Sequence, residues 1–94
     1  MGLGQAKITR LRDVIDSGID QLHDLLGLEV SKVVAASRKE DGWQMTVELI
    51  ERKAVPDTQD LLGTYLAFLN DEGELMSYER RAIRRRMDLE ETVE

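Results

Sequence analysis

The sequence predicts an α+β fold: an N-terminal amphipathic helix packed on a four-stranded antiparallel meander, followed by a charged C-terminal tail or short helix. Three observations predict it. Apolar residues recur every three to four positions between Gln5 and Leu26, which is the helical period. Trp43, Met45, Val47 and Leu49 alternate with Gln44, Thr46 and Glu48, which is the period of a half-buried strand. Asp41-Gly42 and Asn70-Asp71-Glu72-Gly73 are glycine-containing hairpin signals on either side of the central strands. A chain of 94 residues is the size of one domain, here divided into a helix over 5–26, a sheet over 29–83 and a tail over 84–94.

Ile8, Leu11, Val14, Ile15, Ile19, Leu22, Leu25 and Leu26 form the apolar side of the helix. Arg10, Arg12, Asp13, Asp16, Asp20 and Asp24 form the other side. Thr9 is a capping residue for a shorter helix, and Gly27 suits its C-terminal stop. Gly18 reads either as a tolerated weak spot or as a place where the helix packs closely on the sheet.

Glu29 to Lys39, with β-branched Val30, Val33 and Val34, is the first strand; Trp43 to Arg52 returns antiparallel to it. The Trp43 side of this second strand is expected to meet Leu11, Ile15, Leu22 and Leu25 or Leu26. Val55-Pro56-Asp57-Thr58 ends the ladder, because proline has no N–H to donate, and Asp57 and Thr58 supply turn hydrogen bonds.

Leu61 to Asn70 is the third strand. Leu61, Tyr65, Ala67 and Leu69 share one face, and Leu62, Leu66 and Phe68 share the other. An antiparallel sheet covered on one side alternates more cleanly than this. The stripe of Leu62, Leu66 and Phe68 therefore reads as a protein-interaction surface, with Ile50 and Leu75 or Ile83 as its neighbours. The competing reading folds the C-terminal segment back over the stripe through Ile83, Met87 and Leu89. Glu74 to about Ile83 is the fourth strand, although helix is an alternative from Glu79 onward.

The composition excludes several classes of function. With no cysteine there is no disulfide, thiolate nucleophile or Cys-ligated zinc. His23 is the sole histidine and reads as a solvated helix residue. No apolar run approaches the ~18 residues of a membrane helix, and Met1-Gly2-Leu3-Gly4 lacks the regions of a signal peptide. A net charge of −6 disfavours general nucleic-acid binding. Glu48 and Glu51 fall on opposite strand faces and read as solvated charges rather than a catalytic pair. Arg80, Arg81, Arg84, Arg85 and Arg86 form a basic run that points to a protein contact or to intramolecular ion pairs. The alternative is a regulatory module that binds nucleic acid through Arg80–Arg86.

Several residues between Trp43 and Arg80 carry a more specific pattern. They are Gly42-Trp43, Val47-Glu48, Glu51, Val55-Pro56-Asp57-Thr58, Asp60, Leu62 and Tyr65, continued by Asp71-Glu72-Gly73-Glu74-Leu75, Tyr78 and Arg80. This pattern resembles the gas vesicle synthesis protein family GvpO. The resemblance implies a non-enzymatic accessory protein without a cofactor. It would act in the cytoplasm, in association with the gas vesicle, through contacts with other gas vesicle accessory and shell proteins. A homodimer is a further expectation. In architecture the helix-on-meander arrangement is cystatin-like or PepSY-like, an analogy that carries no function.

Overall fold

The computed structural model describes residues 10–88, with no account of the Asp88 side chain. Leu11–Leu26 forms helix α1. The helix expected from Gln5 begins at Leu11, because Arg10 is extended at φ −99° and ψ 133° and takes the N-cap position. Residues 5–9, including Ile8 and the proposed cap Thr9, lie outside the described residues. Gly27 ends the helix at φ 71°, where a left-handed backbone favours glycine, and donates its N–H to the His23 carbonyl at 2.8 Å.

Strands β1 (Glu29–Lys39), β2 (Gly42–Arg52), β3 (Leu61–Asn70) and β4 (Leu75–Arg85) form one sheet in the order β1-β2-β3-β4. All neighbouring pairs are antiparallel. The first hairpin is present, with Glu40 and Asp41 in the loop and Gly42 already opening β2. Gly42 must be glycine: a Cβ there would run into the Leu69 carbonyl oxygen. In the second hairpin, the Asn70 side chain accepts the N–H groups of Glu72 and Glu74, both at 2.9 Å, and Gly73 takes φ 83°.

The β2–β3 register pairs Trp43 with Leu69, Met45 with Ala67, Val47 with Tyr65 and Leu49 with Gly63. These residues face α1 and make the core with Val14 and Leu22. Val47 and Leu49 are fully buried, so the expected facing of β2 holds. The helix meets the expectation in part: Leu22 is in the core and Ile15 and Leu26 pack against it, but Leu11 and Leu25 do not join it. Val14, Gly18 and Leu22 are its buried residues, while Leu11 and Leu25 are 45% and 59% exposed. Gly18 is a close-packing site: a Cβ there would collide with the Met45 sulfur. The helix can sit this low because Val14, Gly18 and Leu22 lie four residues apart on a single line.

Side-chain hydrogen bonds anchor α1 at the far hairpin. Ser17 Oγ and Gln21 Nε2 both donate to the Gly73 carbonyl at 2.7 Å, and Gln21 Oε1 accepts the Leu75 N–H at 2.8 Å. The β2–β3 connection contains a cis Val55–Pro56 bond and a short 3-10 turn, Asp57–Gln59. The side chain that closes it is Asp60, which accepts the Ala54 N–H at 2.7 Å, rather than Asp57 or Thr58. β4 continues as strand to Arg85, two residues beyond the expected end, and a 3-10 turn follows at Arg86–Asp88. The helical alternative from Glu79 is therefore incorrect. Residues 89–94, including Leu89, lie outside the described residues.

Candidate functional site

Among the described residues, α1 covers one face of the sheet and no element covers the other. By register this outer face carries Gln44, Thr46, Glu48 and Ile50 from β2, and Leu62, Thr64, Leu66 and Phe68 from β3. Ser77, Glu79, Ala82 and Arg84 extend it on β4; Lys32 and Ala35 extend it on β1. Leu62 is 1% exposed and offers no surface. Leu66 and Phe68 keep part of theirs and remain the large apolar groups of this face, next to half-buried Ile50. Leu75 and Ile83 are not neighbours of the stripe. Leu75 pairs with Leu69 and Ile83 with Gly63, which places both on the helix side. The C-terminal turn does not cover Leu66 and Phe68 either, since it packs on the Asp57–Gln59 turn through Arg86 and Asp60.

The basic run divides between the two faces. On the outer face, Arg84 Nη2 and Nε donate to Glu48 Oε2 at 2.5 and 3.1 Å. Glu48 is 5% exposed, so the solvated charge expected from the sequence is a buried one held by an arginine. Burial is affordable only because this partner is present. On the helix side, Tyr65 Oη donates to Glu51 Oε2 at 2.6 Å, and Arg80 Nη1 reaches the same oxygen at 3.4 Å. Glu51 is the extra residue of a β-bulge, set between the pairs Ile50–Leu62 and Arg52–Leu61. Gly63 leaves the space its carboxylate fills. Tyr78 stacks at a tilt on Tyr65, with ring centroids 6.2 Å apart.

Asp60 holds the third pair: Arg86 Nη2 donates to its Oδ2 at 3.0 Å. The Ala54 N–H and then Arg86 pull the Asp60 carboxyl below its ordinary pKa. Arg81 pairs with Glu79 on the surface at 2.7 Å. Arg85 has no ion-pair partner among the described residues. Glu48 and Glu51 thus serve different arginines on opposite faces and share no substrate position.

The remaining motif residues are structural in their surroundings. Trp43 is 8% exposed, with the Arg38 guanidinium 5.2 Å from its ring centroid. Pro56 and Asp57 shape the connection and are exposed. His23 sits at the exposed end of α1 with Nδ1 3.0 Å from the Leu28 carbonyl oxygen. A shallow groove of about 300 Å³ opens between α1 and β4, lined by Leu25, Leu75, Met76, Ser77 and Tyr78. Sequence patterning missed this groove, because Leu25 and Leu75 read as ordinary core positions. Among the described residues no cluster of three His, Cys, Asp or Glu side chains is placed to hold a metal. No helix there is long and apolar enough to cross a membrane.

Comparison with known proteins gives the family. Residues 4–90 match the family described as gas vesicle synthesis protein GvpO, so the match extends well beyond the motif between Trp43 and Arg80. The chain is 40% identical over 70 residues to gas vesicle protein O1 of Halobacterium salinarum, covering 74% of this chain and 59% of that protein. It is 42% identical over 67 residues to gas vesicle protein O of a Streptomyces species, covering 71% and 52% respectively. It is 45% identical over 64 residues to gas vesicle protein O of Haloferax mediterranei, covering 68% and 44%. The chain thus spans about half the length of these curated relatives. No solved structure matches.

Proposed function

The chain belongs to the gas vesicle synthesis protein GvpO family, and from that premise we propose that it is a non-enzymatic accessory factor in gas vesicle formation. It works in the cytoplasm as one folding unit over residues 1–94, through contacts with other gas vesicle accessory and shell proteins. The contact surface is the outer face of the sheet, centred on Leu66 and Phe68, with Arg84 at its margin. Arg80 and Arg85 lie on the other side and act separately from it.

The observation that carries this reading is the uncovered face itself. Leu66 and Phe68 lie two residues apart on a central strand, and no described element crosses them. An apolar group of this kind at the centre of an open sheet is the usual core of a protein contact, ringed here by Gln44, Thr46 and Thr64. Co-precipitation with the other products of a gas vesicle gene cluster is the test. The double substitution Leu66→Glu plus Phe68→Glu is expected to lower capture at least about tenfold while circular dichroism stays native. Equal capture by the two forms would remove the outer face from consideration.

A further inference from the structure

We infer that the inner side of β4, next to α1, is a docking site for an acidic amphipathic helix of a partner protein. The site is separate from the outer face and goes beyond the contacts proposed there. Coverage of the sheet, exposed apolar surface and charge lead to it.

A helix is ~10 Å across and strands lie ~4.8 Å apart, so one helix covers about two strands. α1 is one helix on four strands. At Gly18 it meets Met45 of β2 and Leu69 of β3, and Val30, Val33 and Ala36 of β1 pack against the same core. It is tied to β4 at the start of that strand, where Gln21 accepts the Leu75 N–H. The helix-side residues farther along β4 are Tyr78, Arg80, Ile83 and Arg85, and all four are exposed. The groove of about 300 Å³ between α1 and β4 forms the Leu75 end of this open strip.

Half of the exposed large hydrophobic residues among those described lie along the strip. They are Leu25, Met76, Tyr78 and Ile83, between 38% and 63% exposed. Leu25 comes three residues after fully buried Leu22, yet it borders the groove instead of joining the core. Apolar surface gathered in this way marks a contact site. Leu69 and Gly63, the β3 partners of Leu75 and Ile83, are six residues apart. The strip is therefore ~20 Å long, which about 13 residues of helix match. Packed helices lie ~8–10 Å apart, roughly two strand spacings, which is the offset from β2 to β4. A strand added to the free edge of β4 fits less well. The register of β4 to β3 skips Met76 and Arg81, and such bulges break the row of N–H and C=O groups an added strand needs.

Charge selects an acidic partner. Arg85 has no ion-pair partner among the described residues. Arg80 reaches Glu51 through one nitrogen at 3.4 Å, while Tyr65 holds the same oxygen at 2.6 Å. Two arginines against the one Glu51 carboxylate leave this end of the strip positive. Arg81, Arg84 and Arg86 are held by Glu79, Glu48 and Asp60 and take no part. Asp24 lies beside Leu25 and Leu75 at the other end, where a partner acid is disfavoured.

Fluorescence anisotropy of the intact chain tests the inference. The probe is a labelled synthetic peptide of about 14 residues, with leucine at the a and d positions of two heptads and glutamate at e and g. It is expected to bind with a Kd of ~10–100 µM. Lysine in place of its glutamates weakens binding at least about tenfold. Leu25→Glu in the protein weakens it at least about tenfold while circular dichroism stays native. Should that variant fail to fold, Arg85→Glu carries the test, because its side chain is exposed and its loss leaves the core intact. Arg85→Glu weakens the glutamate peptide about fivefold and tightens the lysine peptide. No saturable binding up to ~1 mM overturns the inference. So does binding indifferent to both substitutions, or equal binding of a peptide with proline at its centre, which breaks a helix. Self-association of the chain without peptide, lost in Leu25→Glu on sedimentation, gives the groove to a second copy and also overturns it. Leu66→Glu plus Phe68→Glu is expected to leave peptide binding unchanged. The two surfaces therefore fail separately: capture of gas vesicle proteins can be lost at the outer face while the peptide still binds, and the reverse.

Discussion

Arg84 and Arg81 are three residues apart in the same basic run, yet their surroundings set different costs for removal. Arg84 is the partner of the buried Glu48 carboxylate, while the Arg81–Glu79 pair leaves both side chains more than half exposed. Arg84→Ala strands a carboxylate away from water and is expected to cost about 2–4 kcal/mol in urea unfolding. Arg81→Ala is expected to stay within about 0.5 kcal/mol. Tyr65 makes a second residue-level prediction. Burial, and then the hydrogen bond and charge of Glu51, push its hydroxyl up to about 12 from the usual value near 10. The unfolded chain therefore loses this proton first. The contribution is fully present below pH 10 and is lost as the pH rises from 10 to about 12. The stability difference between the wild type and Tyr65→Phe should shrink across that window when unfolding is followed as a function of pH. At the acid end the sign reverses for Asp60, whose lowered pKa gives stability that is present above 3.8 and lost as the pH falls below it.

At the scale of elements, the decisive contact is that of α1 on the sheet at Gly18. Alanine is favoured over glycine in a helix by about 1 kcal/mol, so propensity alone makes Gly18→Ala stabilising. The structure predicts the opposite, because the new methyl would meet the sulfur of Met45, which is 1% exposed and cannot move into water. Overpacking of this kind costs about 1–3 kcal/mol, leaving a net loss of about 1 kcal/mol. In a Met45→Ala background the obstruction is gone and the same substitution should become neutral or stabilising. A double-mutant cycle in urea measures this coupling, and strictly additive effects would show that the helix does not rest on Met45. Periodicity pointed to the helix, and the spacing of Val14, Gly18 and Leu22 was visible in it. The choice of this line over that of Leu11 and Leu25 was not, since every apolar residue on a helix looks equally fit to be buried until the sheet's position is known.

The whole molecule carries a net charge of −6, with its cations concentrated in β4 and the turn after it. Arg80, Arg81, Arg84 and Arg86 are each engaged by a carboxylate of the fold: Glu51, Glu79, Glu48 and Asp60. The run is spread over two faces and largely neutralised, so it presents no continuous cationic track to a phosphate backbone. Binding to duplex DNA or to RNA is expected to be no tighter than about 10⁻⁴ to 10⁻⁶ M at physiological salt. A nanomolar titration that vanishes in Arg84→Ala plus Arg85→Ala plus Arg86→Ala would reverse this and revive the regulatory alternative.

The sequence by itself determined the order and type of the elements and the facing of β2 and β3. It did so because period-2 and period-3.6 patterns, glycine at the hairpins and proline in the connection are all local physics. It also carried the family pattern, since Gly42-Trp43 and Val55-Pro56-Asp57-Thr58 stand at readable spacing. What Glu48, Glu51 and Asp60 are for was decided only in three dimensions. A glutamate in a strand reads as solvated by default, and the arginines that bury Glu48 and engage Glu51 lie 36 and 29 residues away along the chain. Separation on that scale leaves no periodic trace in the sequence. The bulge at Glu51 and the bare Cα of Gly63 were likewise illegible, because a bulge is a relation between two strands and belongs to neither strand alone.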